Sequence, residues 1–173
     1  MNQKKIKEQL FILHYQFINN LQIYKSIQIY RYKSYNLYIC KESVICKELM
    51  QTILIIEDEP ILQKALSVAL QQAGYEIKSA LEGETGLKLA KEIKPNLILL
   101  DLILPKMDGF EILSELKKDE SAKDIPVIIL TNLESSQDIE RALVLGAKTY
   151  LVKANYDLKD VIQKVKENIS TKN

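Results

Sequence analysis

The sequence predicts an α/β protein of (βα)5 type: a doubly wound, five-stranded parallel sheet with helices on both faces. Three observations point there. Between residues 50 and 170, short apolar runs alternate five times with stretches that have helical apolar spacing. Several runs, such as Ile53-Leu54-Ile55-Ile56 and Leu97-Ile98-Leu99-Leu100, are apolar without alternation, as strands buried on both faces are. Four runs also end in residues suited to phosphate or cation chemistry: Glu57, Asp58 and Glu59 after the first, then Asp101, Thr131 and Lys153.

In chain order, residues 52–56 form the first strand. Pro60 suits the first position of a helix, where its missing N–H costs nothing. Ile61, Leu62, Ala65, Leu66, Ala69, Leu70 and Ala73 supply that helix's apolar stripe, and Gly74 stops it. Residues 75–80 make a second, more polar strand, expected at an edge. A helix over 84–93 leads to the third strand, 96–101. The turn Asp108-Gly109 precedes a helix over 110–118, which Asp108 caps. The fourth strand is 126–130, a helix over 136–145 ends at Gly146, and the fifth strand is 148–152. Leu158, Val161, Ile162, Val165 and Ile169 line one face of a last helix. No shorter period suggests a solenoid.

The length of 173 residues suits one ordinary domain plus an appendage, and the composition is that of a globular protein. The boundary falls near residue 50: every Gly and Pro lies beyond it, and six of the nine Tyr lie before it. The expected organisation is an extension over 1–49, a domain over 50–170 and a tail over 171–173. Charge divides the same way. Residues 1–49 hold eight Lys/Arg against three acids, and residues 50–173 hold sixteen against twenty. A mildly acidic domain gives no electrostatic case for contact with nucleic acid. Cys40 and Cys46 match no zinc or redox spacing and read as free thiols. The only histidine, His14, lies in the extension, so a His-based site inside the domain is excluded.

Three readings of the extension compete. In the first it is not natively translated and Met50 is the start, because its composition resembles translated AT-rich sequence and Lys47-Glu48 suits a purine-rich, ribosome-binding-like stretch. In the second it is a helical arm, since Ile6, Leu10, Leu13, Phe17, Leu21 and Tyr24 allow a helix over residues 3–25. The third, a signal or membrane segment, is weak. The apolar run at 10–13 is soon interrupted by His14, Gln16, Asn19 and Asn20, far short of about 20 apolar residues.

In an open parallel sheet all C-terminal strand ends share one edge, and ligands bind there at the switch point. With the order 2-1-3-4-5, taken from known flavodoxin-like sheets, the first and third strands are neighbours at that point. Glu57, Asp58 and Asp101 then converge, with Thr131 and Lys153 approaching from the strands beyond. At about 5 Å and an effective dielectric near 20, each carboxylate pair costs roughly 3 kcal/mol. A divalent cation removes that cost, and oxygen-only ligation suits Mg2+. Asp58 and Asp101 would bind directly, Glu57 directly or through water. Such a site, with Lys153 opposite, suits an incoming phosphoryl group.

These residues resemble the receiver domain of bacterial two-component response regulators, of the stand-alone, chemotaxis-regulator-like kind. The likeness covers about residues 50–170. It rests on Ile56-Glu57-Asp58-Glu59-Pro60, on Asp101-Leu102-Ile103-Leu104-Pro105-Lys106-Met107-Asp108-Gly109, on Leu130-Thr131 and on Tyr150-Leu151-Val152-Lys153, in that order and at similar intervals. The resemblance implies that Asp101 accepts a phosphoryl group from a phosphohistidine on a sensor histidine kinase or a histidine phosphotransfer protein. It implies Mg2+ held by Asp58, Asp101 and the backbone carbonyl of Ile103, and a phosphoryl group met by Thr131 and Lys153. Tyr150 would move inward behind Thr131. Output to a protein target would pass through 136–145, 148–152 and 157–169, in the cytoplasm, without direct contact with DNA or membrane. Little follows the last helix, so no appended output domain is expected. Two departures stand out. The family's Lys is usually followed by Pro after a cis bond, whereas here Ala154 follows. Ile103 and Leu133, each two residues past a site residue, are both apolar; they would help exclude water, so slow loss of the phosphoryl group is expected.

Taken singly, each residue has a plainer reading. Glu59 beside Pro60 is expected to cap, and Glu57 or Asp58 alone would cap or be solvated. Asp101 alone could end a turn, Thr131 is a common strand-end residue, Lys153 alone is usually solvated, and Tyr150 alone fits core or surface packing. Two other function classes remain beside the receiver, which is not expected to be an enzyme beyond assisting its own phosphorylation. A phosphorylation-independent adaptor of the same fold is opposed by the intact set Asp58, Asp101, Thr131 and Lys153. A phosphate-ester hydrolase with Asp101 as nucleophile generally carries a second acid two positions on, where Ile103 stands.

Overall fold

The structure is a computed structural model that describes residues 29–32, 37–40 and 50–169. The chain divides into two units, Met1–Leu49 and Met50–Asn173. In the first, β1 (Ile29–Tyr32) pairs antiparallel with β2 (Leu37–Cys40), Ile29 opposite Cys40 and Tyr32 opposite Leu37. No Gly or Pro separates the strands, so the pair carries little turn signal in sequence. The helix expected over residues 3–25, with His14, and the thiols of Cys40 and Cys46 lie outside what is described.

In the second unit, β3 (Thr52–Ile56), β4 (Glu76–Ala80), β5 (Leu97–Leu100), β6 (Val127–Thr131) and β7 (Thr149–Val152) form one parallel sheet in the order β4-β3-β5-β6-β7. Numbered within this unit the order is 2-1-3-4-5, as expected, with the polar strand β4 at an edge. The connections are α1 (Pro60–Gln72), α2 (Gly83–Ile93), α3 (Gly109–Lys118) and α4 (Ser136–Val144), and α5 (Leu158–Asn168) follows β7.

Alternate residues of each central strand feed opposite layers. Leu54, Ile56, Ile98, Leu100, Val127 and Ile129 pack with Ala90, Ile112, Leu113, Leu116 and Ala142 from α2, α3 and α4. Ile53, Ile55, Leu97, Leu99, Ile128 and Leu130 pack with Leu66, Leu70, Val161 and Val165 from α1 and α5. Two-sided burial explains the unbroken apolar runs, and each fully buried Leu or Ile contributes about 1.5–3 kcal/mol relative to exposure.

Three details differ from expectation. Ile61 does not join the stripe of α1 but is 80% exposed. The buried line runs through Leu62, Leu66 and Leu70 at four-residue spacing, and Ile61 lies about 100° round the helix from Leu62. Thr131 is the last residue of β6 rather than the residue after it, because the ladder continues to Val152 of β7. Glu59 occupies the N-cap of α1, yet its side chain makes no capping bond; Pro60 has already removed one of the donors that would need one. Asp108, by contrast, caps α3 as expected by accepting from Phe110 N–H at 2.9 Å. Gly74 ends α1 with φ +97°, a left-handed conformation that side-chain-bearing residues rarely take.

Candidate functional site

Three strand ends and one short turn build the site. Beyond β3, Glu57 N–H donates to Ala80 O of β4 at 3.1 Å, which carries the ladder one residue further. Beyond β5, Asp101 N–H donates to Ile56 O at 3.0 Å. These bonds hold Glu57 and Asp101 at the sheet's C-terminal edge, where both are buried, while Asp58 is exposed. One carboxylate oxygen from each of Glu57, Asp58 and Asp101 lies within 4.8 Å of the others. The convergence read from sequence is therefore present.

Lys153 follows β7 and opens a single 3-10 turn, Lys153–Asn155. Its ammonium sits between two of the acids, donating to Asp101 Oδ2 at 2.6 Å and reaching Glu57 Oε1 at 3.0 Å and Oε2 at 2.8 Å. The peptide after it, to Ala154, is trans. The second Asp101 oxygen, Oδ1, accepts from Ile103 N–H at 3.0 Å. The loop that supplies Ile103 is closed where Gly109 N–H donates to Leu102 O at 3.0 Å. A β-carbon on Gly109 would run into Asp101 O and Leu102 Cα, so only glycine permits this approach.

Counted formally, three carboxylates against one ammonium give the cluster a net charge of −2. Burial raises the Glu57 pKa above its ordinary 4.5, with the Asp101 charge adding to the rise and Lys153 opposing it. For Lys153, desolvation lowers the pKa, but the hydrogen bonds and charges of Asp101 and Glu57 outweigh it and leave the ammonium above its usual 10.5. The donor set is all oxygen, dianionic overall and partly open through Asp58. That set fits a hard divalent cation.

Thr131 lies two residues past Ile129, the ladder partner of Leu100, and so stands at the same edge as Asp101. Its side chain is fully buried and its Oγ1 has no hydrogen-bond partner, an uncommon state for a buried hydroxyl. On the neighbouring strand, Tyr150 donates its OH to Leu133 O at 3.0 Å. Burial, and then the charges of Asp138 and Asp101, push the Tyr150 phenol up to about 12, so it remains a donor at neutral pH. Of the expected site residues, Glu57 and Asp101 meet Lys153 directly, and Asp58 lies within 4.8 Å of both acids. Ile103 meets Asp101 through its backbone, and Thr131 and Tyr150 stand one and two strands away. Sequence periodicity gave no hint of Gln63, whose Nε2 donates to Glu57 O and Ala80 O, both at 3.0 Å.

A family model described as the response regulator receiver domain matches residues 53–166. RpaA of Synechocystis sp., a DNA-binding dual master transcriptional regulator, is 41% identical over 117 residues, which cover 68% of this chain and 48% of that protein. The phosphate regulon transcriptional regulatory protein PhoB of Pseudomonas aeruginosa is 39% identical over 103 residues, 60% of this chain and 45% of that one. The chain thus spans about half the length of the curated relatives it matches. Among solved structures, the Vibrio cholerae chemotaxis protein CheY4 aligns with a TM-score of 0.65 at 26% identity, over 69% of this chain and 99% of its own. The Mn(2+)-bound form of response regulator Rcp1 aligns with a TM-score of 0.59 at 32% identity, over 68% and 90%.

Proposed function

Since the chain belongs to the response regulator receiver domain family, we propose that it is a phosphoacceptor of a two-component phosphorelay in which Asp101 is the acceptor. The observation that carries this reading is the buried Asp101 carboxylate, held between Ile103 N–H and the Lys153 ammonium beside two further acids. A carboxylate oxygen of Asp101 attacks the phosphorus of a phosphohistidine on a sensor histidine kinase or histidine phosphotransfer protein. An O–P bond forms, the P–N bond breaks, and the imidazole leaves with the electron pair and takes up a proton. Mg2+ would be held by Asp58, Asp101 and the backbone carbonyl of Ile103, with Glu57 bound directly or through water. Its chemistry there is to neutralise carboxylate and phosphoryl oxygens. The Mn(2+)-bound form of Rcp1 supports the binding of a divalent cation.

Lys153, already on Asp101, pairs with the arriving phosphoryl group. The unpartnered Thr131 hydroxyl gains an acceptor when it turns to a phosphoryl oxygen. That movement vacates space behind it, and Tyr150 gives up its bond to Leu133 O and moves inward. Phosphorylation adds up to about two negative charges and three acceptor oxygens, enough to bias the β6–α4 loop between two arrangements. The output surface is α4, β7 and α5. The domain is a signalling protein rather than an enzyme, and its proposed place of action is the cytoplasm; among the described residues no helix is long and apolar enough to cross a membrane. RpaA and PhoB are transcriptional regulators that extend well beyond the matched segment. The stand-alone expectation finds no support in them, and the mass of the native protein decides between it and a longer, DNA-contacting regulator. Phosphotransfer from a histidine kinase to wild type and Asp101→Ala, followed by capture of partners in both states, tests the reading.

Two further results are expected. Ile103, whose backbone N–H holds the carboxylate, is half-exposed, and Leu133 packs on the core and accepts the Tyr150 hydroxyl. With apolar groups at both positions the aspartyl phosphate hydrolyses slowly, and radiolabel lost within seconds would contradict this. Mg2+ affinity falls with acidity, because a proton competes for Glu57 from above pH 4.5. The sign in metal-free protein is the matching one: the raised pKa favours folding below pH 4.5, and this contribution is lost as pH rises through the shifted value. Calorimetric Mg2+ titrations at neutral and mildly acid pH check the prediction, and equal affinity at both would refute it.

A further inference from the structure

We propose that Gln63 is the positioning residue of the cation site: it fixes the peptide between Glu57 and Asp58, and through it the divalent-cation affinity. The inference rests on the receiver reading and names a residue outside the acidic cluster. Gln63 sits one turn into α1, its own N–H on Glu59 O at 3.0 Å. Helical side chains tilt toward the N-terminus, so its amide reaches back to the strand ends. There Nε2 donates to two carbonyls, Glu57 O and Ala80 O, each at 3.0 Å. Two acceptors facing one group require the amide to present its NH2. Ala80 O also accepts the Glu57 N–H at 3.1 Å. Both sides of the Glu57 backbone are thereby tied to the last residue of β4, one directly and one through Gln63.

The consequence falls on Asp58. Glu57 is held by its side chain, through Lys153 and the Glu59 N–H at 3.3 Å. Asp58 has no such anchor: it is exposed, and among the described residues its carboxylate makes no hydrogen bond. Its place in the cluster depends on the peptide that precedes it. Without the Gln63 donor, Glu57 O must find water. The peptide then rotates, and rotation swings Asp58 away from Asp101.

The test titrates Mg2+ alone into wild type, Gln63→Met and Leu70→Ala, with metal-free Tm measured on each. Gln63→Met keeps the length and removes both donors; Leu70→Ala loosens the same helix two turns on without touching the site. Wild type is expected to bind, Gln63→Met to bind about tenfold more weakly, and Leu70→Ala to lose more Tm while binding like wild type. If Leu70→Ala does not fold, Leu70→Val, a milder truncation of the same buried side chain, takes its place. Unchanged affinity in Gln63→Met overturns the proposal, and so does equal weakening in the control, which would mark general loosening. Failure of wild type to bind would sink the receiver reading itself, a separate outcome.

Discussion

Asp101→Asn is expected to lose phosphoryl labelling down to background while keeping its fold. In wild type, incubation with radiolabelled acetyl phosphate and Mg2+ is expected to label one carboxylate per chain. Asparagine has nearly the same shape and can still accept from Ile103 N–H, so the loop over 102–108 has no cause to move. It lacks the charged nucleophile, and the amide cannot form an acyl phosphate. Lys153 retains Glu57 at 2.8 Å, which limits the electrostatic damage. Asp58 and Glu57 lie within 4.8 Å of the vacated position and are the only described acids in the cluster able to substitute. Label persisting at wild-type stoichiometry in Asp101→Asn would move the acceptor to one of them and defeat the assignment. Label absent from wild type as well would favour the phosphorylation-independent adaptor.

Lys153→Met should cost roughly 3 kcal/mol of stability in metal-free protein, the scale for stripping one partner from a buried ion pair. The lysine side chain is only 11% exposed and touches two acids that are themselves buried, at 3% and 5%. Methionine fills the stem's volume and leaves three carboxylates with no cation among them. Mg2+ then recovers a larger share of stability in the variant than in wild type, because it no longer shares the cluster with an ammonium and because binding only the folded state stabilises it by mass action. Urea unfolding with Mg2+ and with chelator reads both effects. A variant as stable as wild type under chelator would mean the acids carry no mutual strain, and the physical case for a cation would fail with it.

Much of this was legible because the sheet is parallel and buried on both faces. Strand interiors must then be apolar, so Asp101 after Leu97–Leu100 and Glu57 after Thr52–Ile56 mark their own strand ends. Edge strand β4 and the stops at Gly74 and Gly146 were legible for equally local reasons: one strand is polar, and both glycines hold positive φ. Errors arose where a neighbour decided. Thr131 belongs to its strand because Val152 pairs with it. Ile61 is apolar and regularly spaced, yet no layer reaches it. Glu59 takes the N-cap place expected of it but not the capping bond, because Pro60 leaves one donor fewer at that helix end.

Chain-local patterns suffice for the (βα)5 order and for the identity of the acids, the hydroxyl and the lysine at the sheet's edge. Alternation of burial and turn chemistry are properties of neighbours in the chain. It takes the folded sheet to make Lys153 bridge Glu57 and Asp101, to leave Thr131 Oγ1 without a partner, and to let Gln63 tie two strand ends together. Those contacts join residues up to 96 positions apart. Their strength depends on distance and on exclusion of water, which periodicity does not encode.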